Sequence, residues 1–330
     1  MNRCLWDQVS EVHRITTRWI GALGKRHLSS ILNSELGFDV YCYDINPNAL
    51  DNFEWSNQYN NKTLKMITSF DELPDSVDFA LFAMTSTGRR EVFDKLVEHV
   101  KVKNILFEKV LFQRIEDYSH VQIKLKELGI KAWVNCARRQ MDCYQELRER
   151  LSSAKEMRID ISGGEWGLAC NAVHEIDLVE FLAGSENTQV TELDLLPLIA
   201  DSKRPGYKEV YGTVKGHSGK CTEFFINCMK DTNVQDVLTI NTDIGQFIVF
   251  EGNRKLLSMT AENNYELKVE PFEILYQSQM TQFVLEDILL RGTSRLADFD
   301  TSARLHLQFI EPLVQFFNDH GWEEKSCPIT

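Results

Sequence analysis

The chain has 330 residues, of which 43% are hydrophobic, and its formal net charge is −13 at pH 7. A chain of this length can bury a sizeable core and predicts about two domains. An acidic surface repels phosphate backbones and anionic lipids, so the composition excludes nucleic acid and membranes as expected partners and favours small molecules.

Targeting signals and metal motifs are missing from the sequence pattern. No apolar run reaches the roughly 18 residues that a bilayer span requires, and the N-terminal stretch lacks the apolar block of a secretion signal. The eight cysteines occur without C-x-x-C pairs and without the His-rich spacing of metal ligands. We therefore expect a cytoplasmic protein with reduced thiols and no metal site.

The first half of the chain alternates short β-branched or aromatic runs with helical patterns, which is typical of βαβ units on a parallel sheet. The candidate strands are residues 38–45, 64–67, 77–84, 104–109 and 130–135. Several of them are almost continuously apolar, as strands covered on both faces must be. Helical stretches lie between them, including 89–100 and a segment that ends at the glycine stop Gly129.

The pattern changes after about residue 136. A helix over 144–151, a strand over 157–162 and a helix over 171–182 precede five strand-like runs joined by short turns. Two closing helices are predicted over 278–290 and 301–317. The sequence thus predicts an α/β protein with two domains. A Rossmann domain with a parallel sheet covers 1–135, and an α/β domain with a large, mostly antiparallel open sheet covers 136–330.

A glycine-containing turn, Gly21-Ala22-Leu23-Gly24, precedes a helical run, and Asp44 ends the next strand 20 residues after Gly24. Backbone N–H groups of such a turn can approach a pyrophosphate at the helix N-terminus. A carboxylate at this distance can accept hydrogen bonds from a ribose 2'-hydroxyl. Because a carboxylate also repels a 2'-phosphate, Asp44 favours NAD over NADP.

The segment before this turn departs from the full G-x-G-x-x-G pattern. Trp19 stands where the first glycine would be, and the preceding residues, HRITTR, are polar for a central strand. A glycine-containing loop with no ligand therefore remains the alternative interpretation of this turn.

Glu108 and Lys109 end the fifth strand, at the edge where open α/β sheets bind ligands. A lysine at this position can lie beside a nicotinamide and a substrate hydroxyl, where its charge would stabilise a developing alkoxide. An exposed lysine at the end of a strand is the alternative interpretation.

A later glycine pair, at positions 163 and 164, leads into a helix that carries Cys170, Asn171, His174 and Asp177. Side chains that recur at three and four residues share one helix face. Histidine exchanges a proton near neutral pH, and an acid three residues later could orient its ring. A core histidine that is hydrogen-bonded to its neighbours is the alternative.

Together these segments resemble the Gfo/Idh/MocA family of oxidoreductases, named after glucose-fructose oxidoreductase and inositol dehydrogenase. The resemblance spans most of the chain. It depends on the turn Gly24-Lys25-Arg26-His27, on Glu108-Lys109-Val110 at the place of E-K-P, on Gly163-Gly164, on Cys170 to His174 at the place of D-x-x-x-H, on Asp177 and on His306. It implies a Rossmann domain followed by an α/β domain whose open sheet mediates dimer or tetramer formation.

The resemblance also implies an activity and a set of site residues. The expected enzyme transfers a hydride between NAD and a hydroxyl or keto carbon of a sugar, nucleotide sugar or cyclitol, with Lys109 and His174 flanking the alcohol and His174 accepting its proton. Cofactor contacts are implied for Gly21, Leu23, Gly24, Asp44, Thr85, Ser86, Glu108 and Lys109. Substrate contacts are implied for Arg138, Arg139, Cys170, Asn171, His174, Asp177, Lys203, Arg204 and Tyr207, because cations and amphipathic rings suit polyhydroxylated or anionic ligands. Surface arginines and an ordinary turn are the alternatives.

Three departures from the family pattern concern activity: Cys170 replaces an aspartate, Val110 replaces a proline, and Trp19 replaces a glycine. The first and last motivate a second hypothesis, in which a catalytically impaired family member serves as a cofactor or sugar sensor or as an oligomeric scaffold. A third hypothesis, reduction of a C=N bond or a linear tetrapyrrole, would require a larger apolar pocket.

Overall fold

The structure, a computed structural model, describes residues 13–18, 21–51, 53 and 61–330, and only the backbone of Arg18. Trp19 lies outside the described residues, so its effect on the glycine turn stays a prediction. The chain divides into two compact units. Unit 1 contains the described residues up to 108 together with 119–135 and 276–299, and unit 2 contains 109–118, 136–275 and 300–330.

Unit 1 has a parallel sheet with helices. The strands described in it are β1 (His13–Arg18), β2 (Phe38–Tyr43), β3 (Lys62–Ile67), β4 (Ser76–Phe82), β5 (Lys101–Phe107) and β6 (Lys131–Val134). Its helical segments are α1 (Ala22–Leu32), α2 (Arg89–His99), most of α3 (Ile115–Leu128) and α6 (Gln277–Arg291). All strand pairs are parallel, in the order β3-β2-β1-β4-β5-β6. This order confirms the Rossmann prediction, and ligands bind such sheets where the order reverses, here between β1 and β4.

The polar segment HRITTR forms a central strand in spite of its composition. Ile15, Thr16 and Thr17 are buried in β1. The Thr17 hydroxyl donates a hydrogen bond to the Cys42 sulfur on β2, at 3.6 Å. Threonine favours the extended backbone because it is β-branched, and a satisfied hydroxyl can be buried at low cost.

Helix α6 belongs to unit 1, whereas the sequence pattern predicts residues 276–299 in the second domain. The helix buries Val284, Leu285 and Ile288 in the same core as Leu28 of α1 and Val40 of β2. The expected boundary at residue 135 is therefore only one of the points at which the chain changes units. Residues 109–118 leave unit 1 earlier, and α6 returns to cover the first sheet.

Unit 2 has a large mixed sheet with helices. Its elements are α4 (Asp142–Leu151), β7 (Met157–Gly164), α5 (Leu168–Ala183), β8 (Thr188–Leu195), β9 (Ala200–Asp201), β10 (Lys208–Glu209), β11 (Gly212–Ser218), β12 (Cys221–Met229), β13 (Val237–Thr242), β14 (Gly245–Phe250), β15 (Lys255–Thr260), β16 (Lys268–Pro271) and nearly all of α7 (Phe299–Asp319). Eight strands form one sheet in the order β16-β15-β14-β13-β7-β12-β11-β8, and β9 pairs with β10.

The large sheet is mostly antiparallel, as predicted, with one parallel pair between β7 and β12. The pair arises because α5 carries the chain from β7 to the edge strand β8, and the following strands then return by antiparallel pairing. A helical crossover is the usual connection between parallel strands. None of the helices in the described ranges is long and apolar enough to cross a membrane.

Candidate active site

The N-terminus of α1 is the first part of the candidate cofactor site, in unit 1. Gly21 is the N-cap residue, and as a glycine it has no side chain that could cap the first N–H groups of the helix. A Cβ atom added to Gly21 would meet no atom of the described residues within 4 Å. Gly24 is buried in the first turn, and Leu23 is half-buried. Because the first N–H groups of a helix attract anions, this end of α1 fits a phosphate group of a dinucleotide.

Two further predicted cofactor residues follow neighbouring strands of the same sheet. Asp44 comes directly after β2 and is 6% exposed, and its Oδ1 atom accepts the N–H of Asn46 at 2.9 Å. Thr85 is exposed and Ser86 is buried in the loop after β4. Because β2, β1 and β4 are adjacent and parallel, the structure brings Gly21, Asp44 and the Thr85 loop to one edge of the sheet.

The carboxylate of Glu108 has partners inside unit 1. Glu108 is 4% exposed, and its Oε1 atom lies 3.0 Å from Nε2 of the fully buried His27. The same oxygen accepts a hydrogen bond from the Asn135 amide, and His27 Nδ1 lies 2.9 Å from the Thr281 hydroxyl. This arrangement favours a structural role for Glu108 over the expected cofactor contact. The R-H pair after the glycine turn was the only signal in the sequence for His27.

Lys109 is held by the first turn of α5, within unit 2. Its Nζ atom donates to the carbonyl oxygen of Cys170 and to Oδ1 of Asn171, both at 3.0 Å. The peptide bond from Lys109 to Val110 is cis. His174 lies one turn further along the same helix face. The structure thus brings the two predicted catalytic residues to one end of α5.

The surroundings of His174 keep its imidazole neutral. Burial lowers the pKa of His174 well below 6.5, and the positive charges of Lys109, Arg138 and His306 lower it further. Within the part of the chain that the structure describes, no hydrogen bond occupies its ring nitrogens, and its side chain keeps some exposed surface. This differs from the core histidine considered as the alternative, and a neutral imidazole can accept a proton.

Asp177 does not orient the His174 ring, so that expectation is wrong. Asp177 is 2% exposed, and its Oδ2 atom accepts from Nε of Arg139 at 2.8 Å. Arg139 also lies 3.9 Å from Glu180. A guanidinium is a stronger partner for a buried carboxylate than a neutral imidazole, which explains the pairing. The geometry therefore favours a structural ion pair over the substrate contacts expected for Arg139 and Asp177.

Arg138 forms a second cluster of buried charges, from the short helical turn Ala137–Gln140. Its Nη1 atom lies 2.9 Å from Glu175, and its Nε atom lies 2.7 Å from Glu251. The Tyr144 hydroxyl donates to the same Glu251 oxygen. Burial raises the pKa of Glu175 to about 7, although Arg138 acts in the opposite direction. These contacts leave Arg138 engaged by the protein rather than by a substrate.

The thiol of Cys170 cannot replace the family's aspartate as a proton acceptor. Burial and the nearby Glu209 carboxylate raise the pKa of the Cys170 thiol, so it stays protonated at neutral pH. Its sulfur lies 3.8 Å from the Ser202 hydroxyl. Glu209 accepts the N–H of Ala169 and so caps the start of α5. Two polar residues of this part of α5 are related to Lys109. Asn171 accepts a hydrogen bond from its ammonium group, and His174 has its pKa lowered by the ammonium charge in addition to burial.

The predicted substrate loop contributes to a cavity of about 200 Å³ in unit 2. Lys203 and Arg204 line this cavity together with Cys170 and Asn171, whereas Tyr207 is not part of its wall. The aromatic residues of the wall have no shared sequence signal, because they come from separate segments. Those residues are Trp166 and Tyr211.

A larger open groove, of about 670 Å³, lies at the other end of α5. Leu182, Ala183 and Gly184 line it together with residues of α4 and Lys220. Helix α5 has 16 residues, so its two ends are about 24 Å apart. The groove is therefore remote from Lys109, and its size does not make it the candidate active site.

By sequence, the chain matches no protein-family model and no curated protein with which it was compared. Solved structures do share its fold. UDP-N-acetylglucosamine 3-dehydrogenase GnnA from Acidithiobacillus ferrooxidans is 12% identical, with a TM-score of 0.70 over 95% of this chain and 100% of that one. A super-repressor mutant of Gal80p from Saccharomyces cerevisiae is 13% identical, with a TM-score of 0.71 over 93% and 96% of the two chains.

A third structure is a mutant of KijD10, a 3-ketoreductase from Actinomadura kijaniata, in complex with TDP-benzene and NADP. It is 12% identical, with a TM-score of 0.68 over 91% of this chain and 96% of that one. The structural neighbours are of the Gfo/Idh/MocA type. The two-domain fold that the resemblance implied is thereby confirmed.

Proposed function

We propose that this chain is an NAD(P)-dependent oxidoreductase that transfers a hydride between a nicotinamide and a hydroxyl or keto carbon of a sugar, nucleotide sugar or cyclitol. The observation that carries the proposal is the contact of Lys109 with Asn171 on the first turn of α5, one turn before His174. The neighbours named as a UDP-N-acetylglucosamine dehydrogenase and a 3-ketoreductase support the substrate class.

The residues that would hold the cofactor lie at one edge of the unit 1 sheet. The uncapped N–H groups behind Gly21 suit a pyrophosphate. Asp44 would accept hydrogen bonds from a ribose and would disfavour a 2'-phosphate, so we propose NAD as the preferred cofactor. When bound, the nicotinamide would supply the hydride acceptor or donor.

The proposed chemical roles follow from charge and protonation in unit 2. His174 is neutral because burial and nearby cations lower its pKa, so it can take the proton of a substrate hydroxyl. The Lys109 ammonium group is positioned by hydrogen bonds to the Cys170 carbonyl oxygen and to Oδ1 of Asn171. This group would stabilise the negative charge that develops on the substrate oxygen.

Titration with NADH, followed by fluorescence, tests the cofactor site. In the Gly21→Ala variant the added methyl group meets none of the residues that the structure describes, so we expect an unchanged melting temperature. The same methyl group would crowd a pyrophosphate, and we expect the NADH affinity to fall about tenfold, or about 1.4 kcal/mol. Unchanged affinity in this variant would contradict the placement of the cofactor.

Turnover with a panel of sugars, nucleotide sugars and cyclitols tests the catalytic roles. We expect Lys109→Ala and His174→Ala each to lower turnover roughly 100-fold while NADH binding is retained. Full turnover in either variant would show that the role assigned to that residue is wrong.

A second candidate function is a cofactor or sugar sensor without catalysis. It is favoured by the protonated thiol of Cys170 at the place of the family's aspartate. One structural neighbour is named as the transcriptional regulator Gal80p. Tight NADH binding without turnover across the panel would support the sensor, and reproducible hydride transfer would exclude it.

We also propose that the chain forms a homodimer or homotetramer through the large sheet of unit 2. Residues of a strand alternate between the two faces of a sheet. On β12, β14 and β15 the residues of one face are buried, and the other face carries apolar residues that are only half-buried, namely Phe225, Ile248 and Leu257. Light scattering should give the mass of two or four chains, and Ile248→Asp should lower it. A monomer at micromolar concentration would contradict the proposal.

A further inference from the structure

The cavity of about 200 Å³ opens beside the first turn of α5. Cys170 and Asn171 line it, and the same two residues bind the Lys109 ammonium group. Pockets that enclose a drug-sized ligand measure roughly 300–1,000 Å³. The cavity is smaller than that, so it fits one ring or one substituent of a substrate that also reaches Lys109.

The carboxylates on the cavity wall already have donors from the protein. Glu165 accepts the Tyr211 hydroxyl at 3.0 Å and the N–H of Asp231 at 2.9 Å. Asp201 forms an ion pair with Lys208 at 2.6 Å. The third carboxylate belongs to Glu209, which accepts the N–H of Ala169 at the start of α5. Each Glu165 oxygen already accepts one donor and the Lys208 ammonium group offsets the Asp201 charge, so these carboxylates are weaker acceptors for the hydroxyl groups of a neutral ligand than carboxylates without partners.

The cations on the same wall retain hydrogen-bond donors. Lys203 donates to the carbonyl oxygen of Glu165 at 3.1 Å, which leaves two of its three N–H groups. Across the described ranges of the chain, no acceptor binds the Arg204 guanidinium, although its backbone N–H is fixed by the Ser202 hydroxyl at 3.3 Å. A guanidinium binds carboxylate or phosphoryl oxygens in a bidentate manner.

An aromatic side chain completes the wall. The indole N–H of Trp166 donates to the carbonyl oxygen of Asn227 at 2.9 Å, which fixes the ring. A fixed indole ring offers an apolar face to a sugar or other flat ring beside the cations. Because the net charge of the chain is −13, its overall field repels anions, so any preference for an anionic ligand must come from local cations.

We propose that this cavity binds an acidic substituent of the substrate, either a carboxylate or a phosphoryl group, through Arg204 and Lys203. The identity of the reacting carbon rests on the proposed function. The charge preference of the cavity is independent of the proposed function, because ligand binding can be measured without turnover.

Titration calorimetry with the full chain tests the proposal, with glucuronate, glucose 6-phosphate and neutral glucose as probes. We expect at least one of the two anions to bind tenfold or more tightly than glucose. The double variant Lys203→Gln/Arg204→Gln should lose that preference. Lys255→Gln, which removes an exposed lysine of β15, is the matched control and should retain it. Preference for glucuronate alone indicates a carboxylate, and preference for the phosphate alone indicates a phosphoryl group.

Equal affinity for the three probes, or no binding of either anion, would overturn the proposal. An intact preference in the double variant would overturn it as well, since the two exposed side chains can be replaced without disturbing the fold. Failure of the proposed function has a different signature. In that case the anions would still bind, but NADH would not bind or no hydride transfer would occur.

Discussion

The Nζ atom of Lys109 lies 3.0 Å from Oδ1 of Asn171, the residue that follows Cys170 on α5. An amide oxygen accepts the ammonium hydrogen bond without neutralising its charge. Burial lowers the pKa of His174, and the positive charge of Lys109 lowers it further. The Lys109 charge, which Asn171 holds by a hydrogen bond, therefore adds to the effect of burial in keeping the proposed proton acceptor neutral.

Replacement of Asn171 by aspartate should reverse this effect. The new carboxylate would neutralise the Lys109 charge, so we expect the pKa of His174 to rise in Asn171→Asp, and also in Lys109→Met. Histidine ring resonances followed by NMR over pH 4 to 8 would measure the change. Asn171→Ala is the control, because it removes the hydrogen bond but keeps the ammonium charge. A His174 pKa that stays the same in Lys109→Met would contradict the electrostatic role of the lysine.

Removal of the Arg139 side chain should destabilise the fold. Asp177 would remain buried without its partner, and breaking a buried ion pair in this way costs about 3–5 kcal/mol. Urea unfolding measures the loss, and Arg204→Gln on the exposed loop should change stability by less than about 0.5 kcal/mol. If Arg139→Ala kept wild-type stability and only weakened substrate binding, the original expectation of a substrate contact would be restored.

The buried pair of His27 and Glu108 should be coupled energetically. We expect His27→Ala to lower the free energy of unfolding by about 3 kcal/mol, because the buried carboxylate of Glu108 loses its contact with the imidazole. A double-mutant cycle with Glu108→Gln should give a coupling of at least about 1 kcal/mol. His320→Ala, at an exposed histidine, should cost less than about 1 kcal/mol. Additive effects in the cycle would show that the contact between His27 and Glu108 does not contribute to the stability of the fold.

The pKa of Glu175 predicts a pH dependence of stability. The folded chain holds this proton up to about pH 7, whereas the unfolded chain releases it near 4.5. The contribution of Glu175 to the free energy of unfolding therefore falls as pH rises from about 4.5 to about 7, by up to roughly 3 kcal/mol, and is then constant. Arg138, Glu251 and Asp236 are the charged groups that act on it.

Urea unfolding at pH 5, 6, 7 and 8 measures this dependence. The stability of Glu175→Gln relative to the wild type should increase with pH up to about 7, because the glutamine does not ionise. Glu149→Gln, at an exposed position, should show no such trend. A relative stability that stays constant over this range would mean that Glu175 is already ionised at pH 5.

Much of the fold follows from local sequence patterns. The apolar runs that predicted strands over 38–45, 77–84 and 104–109 correspond to β2, β4 and β5. A strand that is covered on both faces of the sheet needs apolar residues at nearly every position, and such a run can be recognised in a short segment of sequence. The spacing of Asn171 and His174 is equally local, since residues three apart share a helix face. The sequence therefore determined the two sheets and placed His174 on the helix where it is found, whereas Lys109, predicted as the last residue of a strand, lies two residues beyond the end of β5.

Only the tertiary structure decided which groups these residues contact. Asp177 shares a helix face with His174, yet it pairs with Arg139, 38 residues away. Glu108 is bound by His27, 81 residues earlier, and α6 returns to the first sheet after the second is complete. A buried charged side chain pairs with the strongest partner that the fold brings close to it. That partner can come from any distant segment of the chain. Periodicity along the chain reports only the few residues on either side.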